Sequence, residues 1–192
     1  AELMAASLHG MLTNASTPWF SLRYPDRELE GDDMAREWLE GATDVMYTEL
    51  HRSNFHEAIH ELYSDLVTFG TAVMFIDTDK EQNLRFSTRH IAECYVSEDE
   101  FGRVDTVYRE FKMSAKAALD QFGEENISKR IAKKVQQDPY EHITLLHVVM
   151  PRTERDSLKL DAKNKPFSSC YLDPEEKIIL SESGFDEFPY VV

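Results

Sequence analysis

At Gly70 the spacing of apolar residues changes from the helical to the extended period, and that change limits what the chain can fold into. Before it, Phe55, Ile59, Leu62, Leu66 and Phe69 recur at three- and four-residue intervals, which gathers them on one helix face. Ser53 offers an N-cap for this helix and Gly70 a stop. Upstream, Asp32 or Asp33 can cap a helix through "MAREWLEGATDVMYTEL", with Met34, Trp38, Val45 and Leu50 among its apolar positions and Gly41 weakening its middle. After Gly70 come "TAVMFID", the alternating "LRFSTRH", "ECYVS" and "VDTVYREF", separated by the polar "DTDKEQN" and the turn-rich "EDEFGR". Short connections of this kind predict antiparallel neighbours. A helical insertion over 114–136 follows, in which Ser114 is an N-cap, Gly123 a stop, and Ile127, Ile131 and Val135 stand four apart. Strands resume at "HITLLHVVM", "FSSCYL" and "KIILS", the last two joined at Asp173-Pro174, while 151–165 reads as an exposed loop. The expectation is one α+β domain over 1–192, helical over about 1–70 and strand-rich over about 71–192, with no internal repeat.

Composition narrows the class. The 192 residues carry 36 acidic against 21 basic side chains, a formal charge of −15, which repels nucleic-acid phosphates and argues against an ordinary DNA- or RNA-binding module. No run of about 18 apolar residues occurs and the opening "AELMAASLHGML" has no basic n-region, so no membrane span or secretory signal is expected, and an intracellular setting is. Cys94 and Cys170, each in an apolar alternating stretch, read as reduced buried thiols rather than a staple or a metal pair.

One motif asks for chemistry. His56-Glu57-Ala58-Ile59-His60 is a literal H-E-x-x-H, in which two histidines one helical turn apart hold zinc and the glutamate activates a bound water. A third ligand is needed. The metzincin continuation would require glycine and histidine where Tyr63 and Leu66 stand, and other zincins take a glutamate from a following helix, whereas Glu81, Glu93 and Glu98 fall in turns or strands. On a wheel at about 100° per residue His56 and His60 lie at the edge of the apolar stripe, with Glu57 on the polar side and Glu61 adding charge next to the second histidine. The reading is two rim histidines that pack and hydrogen bond, with no metal, no cofactor and no catalytic residue.

Other signatures are absent: no G-x-G-x-x-G, no G-x-x-x-x-G-K-[ST], no G-x-S-x-G and no C-x-x-C, with seven glycines in all. The acidic pairs Asp32-Asp33 and Asp77 with Asp79 read as solvated turn carboxylates rather than a cation site. The basic cluster Lys129, Arg130, Lys133 and Lys134 surrounds the Ile127-Ile131-Val135 stripe, as on a solvated helix face, with contact to phosphate or an acidic neighbour as the alternative.

Longer phrases are more specific. "FSLRYPD", "LYSDLVTFGTAVMFID", "LRFSTRHIAECYVSEDEFGRVDTVYREFKMSA", "ITLLHVVMPR" and "FSSCYLDPEEKIILSESGFDEFPYVV" resemble, in order and from Trp19 to Val192, the head-to-tail connector (portal) proteins of short-tailed double-stranded DNA bacteriophages. The resemblance implies an internal piece of a longer protein, from the α+β wing of a ring of subunits at one capsid vertex. Through such a ring DNA is packaged and ejected, and terminase and tail proteins dock on it. It also implies residence in the virion, with assembly in the host cytoplasm, and duplex DNA passing without tight binding. Trp19, Phe20 and Trp38 are expected in the fold's interior, with subunit contacts as the alternative. Two other readings stand beside it: a zinc-dependent hydrolase using His56, Glu57 and His60, and a generic prophage protein-interaction domain.

Overall fold

The structure, a computed structural model, describes residues 1–25, 32–78, 84–156, 158–159 and 161–192. Contacts within it gather into two compact units, Ala1–His90 with Tyr190–Val192, and Ile91–Pro189. Helices come first and antiparallel strands follow, so the α+β class read from the change of period holds.

In the first unit, α1 (Glu2–Leu12), α2 (Asp33–Arg52) and α3 (Phe55–Phe69) precede β1 (Val73–Asp77) and β2 (Arg85–Arg89). Asp32 caps α2, its Oδ1 accepting from the Met34 and Ala35 amides at 2.9 and 3.3 Å, which satisfies two orphan donors of the first turn. Ser53 is not the cap of α3. Asn54 takes that position without a side-chain cap bond, and Ser53 Oγ instead accepts from the Phe55 amide at 3.2 Å. The Asn54 amide is used across the fold: Nδ2 donates to the Phe86 carbonyl at 2.7 Å and Oδ1 accepts from the Phe86 amide at 2.9 Å, tying the helix start to β2 as a strand neighbour would. Gly70 ends α3 at φ 79°, a left-handed conformation costly for any residue with a Cβ.

β1 lies between β2 and β8 (Tyr190–Val191), antiparallel to both, with Phe75 opposite Ser87 on one side and Tyr190 on the other. Phe55, Ala58, Met74 and Phe86 form the buried core between α3 and this sheet, with Leu50, Ile59 and Leu62 packed at its edge. The apolar stripe of α3 is shorter than its spacing suggests. Leu66 and Phe69 are exposed, and Ala58 and Tyr63 are buried instead.

The second unit is a meander. β3 (Cys94–Glu98), β4 (Val104–Ser114), β5 (His142–Pro151), β6 (Phe167–Asp173) and β7 (Ile178–Phe185) lie side by side in chain order, every pair antiparallel. The β3–β4 turn closes on Asp99, whose Oδ1 accepts from the Phe101 and Arg103 amides at 2.8 and 2.9 Å. The insertion appears as α4 (Ala115–Phe122) and α5 (Lys129–Gln137), capped by the Ser114 and Ser128 hydroxyls at 3.2 Å each. Ala115, Ala118, Phe122 and Ile131 of these helices meet Ile143, Leu145 and Leu180 of the sheet. Each fully buried aliphatic side chain among them contributes about 1.5–3 kcal/mol, so this contact fixes the helices to the sheet. Among the described residues, no helix is long and apolar enough to cross a membrane.

Candidate functional site

The H-E-x-x-H residues fall on α3 with His56 and His60 half-buried and Glu57 exposed, as the helical wheel places them. Their partners come from elsewhere in the first unit. His9 on α1 stacks on His56 with ring centroids 5.6 Å apart and its Nε2 3.4 Å from His56 Nδ1, one ring donating and the other accepting. His51, at the end of α2, brings its ring to 5.2 Å from His56. His60 lies 5.8 Å from His9 and turns Nε2 toward Glu2 Oε1, 3.0 Å away. Four of the seven histidines thus meet on three helices. Burial, and then His60, lowers the pKa of His9; burial, then His51, then His9 lowers that of His56.

This cluster is not laid out as a metalloprotease centre. The two histidines of the motif face different partners, Glu57 points outward, Glu81 lies outside the described residues, and Glu93 pairs with Arg109 at 2.8 Å. Among the described residues no three His, Cys, Asp or Glu side chains converge in a way that could hold a metal ion. His9 and His51 carry no sequence signal of their own, because the packing of α1 and α2 on α3 is what brings them in.

The basic cluster on α5 divides in two. Arg130 is turned inward: Nη2 bonds Asp173 Oδ1 at 2.7 Å, Nε bonds Oδ2 at 3.2 Å, and Nη1 reaches Glu175 at 2.7 Å. Asp173 is wholly buried and also accepts from Ser128 Oγ at 2.6 Å. Burial alone would raise its pKa, but the Arg130 and Ser128 hydrogen bonds and the guanidinium charge outweigh it and hold the carboxyl below its ordinary value. Lys134 pairs with Glu141 at 2.7 Å, while Lys129 and Lys133 are exposed. Half of the apparent positive patch is therefore committed within the fold.

The acidic pairs are likewise committed or undescribed. Asp32 caps α2, Asp33 pairs with Arg36 at 2.6 Å, Asp77 Oδ1 accepts from the Thr78 amide at 2.7 Å, and Asp79 lies outside the described residues. Cys94 on β3 is buried and Cys170 on β6 half-buried, both as free thiols. Burial, reinforced by Glu182 and opposed by Arg152, pushes the Cys170 thiol up.

The aromatic residues separate. Trp19 stacks on Phe55 at 6.0 Å, and Tyr47 Oη accepts from the Trp19 and Phe20 amides at 2.6 Å while donating to the Phe20 carbonyl at 2.9 Å, so that segment is docked. Trp38 is not in the interior. It is 65% exposed, in a line along α2 with Met34 and Val45, both exposed as well. Trp38 lies one turn after Met34 and Val45 two turns after Trp38, so a stripe that looks like a core face is a solvent face of this unit.

The chain matches the pattern of the bacteriophage head to tail connecting protein family over residues 1–192 and belongs to that family. It is 31% identical over 191 residues to the portal protein of Salmonella phage epsilon15 and 30% identical over 190 residues to the probable portal protein of Bordetella phage BPP-1. Those alignments cover 98% and 97% of this chain and 34% of each relative, so the chain spans about a third of the length of the relatives it matches.

Proposed function

We propose that this chain is part of a portal, a ring of copies of the full-length protein at one vertex of the capsid, through which DNA enters during packaging and leaves at ejection. The family match along the whole chain carries this reading. The ring is the docking site for terminase and later for tail proteins, is assembled in the host cytoplasm, and stays in the virion. The protein is a structural part with no catalytic residue, metal or cofactor. His56 and His60 serve the packing of α3, and Glu57 faces solvent.

The chemistry of the surface supports this role. A channel that lets DNA slide gains nothing from cation–phosphate contacts, since each adds affinity and so a barrier to movement. The chain carries a formal charge of −15, and two of the four cations on α5 are occupied by Asp173, Glu175 and Glu141. The exposed Met34, Trp38 and Val45 give α2 an apolar line suited to burial against another protein surface. No feature of the histidine cluster favours the hydrolase reading.

The test is a capsid-assembly reaction with and without the full-length protein. Shells assembled without it should take up no DNA when terminase and ATP are supplied, and shells assembled with it should fill. Equal filling in both would overturn the proposal.

A further inference from the structure

The histidine cluster sits in the seam that holds α1 to α3, and that seam is poor in buried apolar surface. Ala5 is the one α1 residue that is fully buried and Leu8 is half-buried, while Leu3, Met4, Met11 and Leu12 are exposed. Polar contacts make up much of the rest: His9 on His56, Glu2 on His60, and Thr13 Oγ1 with the Tyr63 hydroxyl at 3.3 Å. The His9–His56 contact needs one ring nitrogen to accept. Once both rings are protonated, two N–H groups and two positive charges face each other instead. A shallow groove of about 260 Å³ bordered by His9, Gly10, Asn14 and His60 opens the seam to solvent, so protons have access.

We propose that this cluster is a proton-operated clasp, in which neutral rings hold α1 against α3 and acidification through the histidine range releases α1. The groups around it decide the sign. From α1, Glu2 Oε1 lies 3.0 Å from His60 Nε2. From α2, His51 faces His56, and Tyr47 lies beside His51 at 6.5 Å. From α3, Tyr63 lies 6.4 Å from His9, and Glu57 is exposed on another face. Behind α3, Arg85 of β2 is exposed and Arg89 stands over the Phe75 ring. Among the described residues the cluster thus holds four imidazoles, of which His60 alone has a carboxylate, Glu2, within hydrogen-bond distance. His9 and His56 have folded values below the unfolded 6.5, so the unfolded or released form binds protons more readily. The clasp's stabilisation is whole above about pH 6.5 and is lost as the pH falls from there through the lowered values.

The experiment is hydrogen exchange on the full chain between pH 7.5 and 5, corrected for the intrinsic rate. Protection of residues 2–12 should fall at least tenfold across that range while that of α4 and α5 stays constant. A flat profile for 2–12, or an equal loss in α4 and α5, overturns the proposal. The His9→Gln, His56→Gln double variant should show no step between pH 6.5 and 5, and a step unchanged from the parent's contradicts the clasp. Should that variant release α1 at every pH, His51→Gln decides. It removes one cause of the lowered His56 value and leaves the His9–His56 contact intact, so the step must shrink as the lower end of its window moves to higher pH, and an unchanged step contradicts the account.

Discussion

Arg130 shows how a residue that reads as surface charge can be internal. Its guanidinium is the main countercharge of Asp173, a carboxylate with no exposed surface. Replacing Arg130 by Met would leave that carboxylate buried without its cation, a change that costs about 3–5 kcal/mol. Urea unfolding at pH 7 should show that loss as a lower midpoint with little change in slope. Because the folded pKa of Asp173 lies below 3.8, the parent's gain from this pair is present above that value and disappears as the pH falls through the folded one. The two unfolding curves should therefore converge in strong acid. A variant as stable as the parent at neutral pH would show that the pair contributes nothing. For the same reason, the charges to test against DNA are Lys129 and Lys133, the two cations of α5 that face solvent. If both met phosphates, binding would carry a log-log salt slope of roughly −1.8. The expected titration of duplex DNA is flat at low and moderate salt, for the parent and for the Lys129→Gln, Lys133→Gln variant alike. Salt-sensitive binding lost in the variant would reveal a DNA-holding surface.

At the scale of elements, the close approach at Gly184 is the most exacting point of β7. A Cβ there would lie 2.5 Å from the Ala162 carbonyl oxygen, 2.7 Å from that of Phe167 and 2.8 Å from Lys165 Cβ. Two of these are backbone atoms, which cannot turn aside as a side-chain tip can. Gly184→Ala should cost about 1–3 kcal/mol, and hydrogen exchange should rise around 161–167 and 183–185 before it rises elsewhere. Unchanged stability would mean the backbone yields freely there. The antiparallel pairing of neighbouring strands, the Ser114 cap of the insertion and the Gly70 stop were legible in the sequence, because each follows from local chemistry: alternation, a hydroxyl before a helix, a residue able to reach positive φ. What was not legible depended on partners. Periodicity tells which residues share a face and not whether anything covers it, so Met34, Trp38 and Val45 look the same as a core stripe until α2 is seen. Leu66 and Phe69 fail in the same way. Asn54 displaced Ser53 as the residue before α3 because Phe86, 32 positions away, offers it two backbone bonds. His9 and His51 reach His56 only through helix packing, a relation no spacing along the chain encodes.

For the whole molecule, family membership and surface chemistry point the same way. The match along all 192 residues, the acidic balance and the solvent-facing apolar line on α2 support the proposed portal role. The chain spans about a third of the length of its relatives, so the proposed ring is to be sought with the full-length protein. Imaging of purified full-length protein by electron microscopy is therefore the most direct measurement. The account predicts closed rings of one subunit type around an axial channel wide enough for a duplex. Monomers, or compact dimers without a channel, at concentrations sufficient for capsid assembly would contradict it.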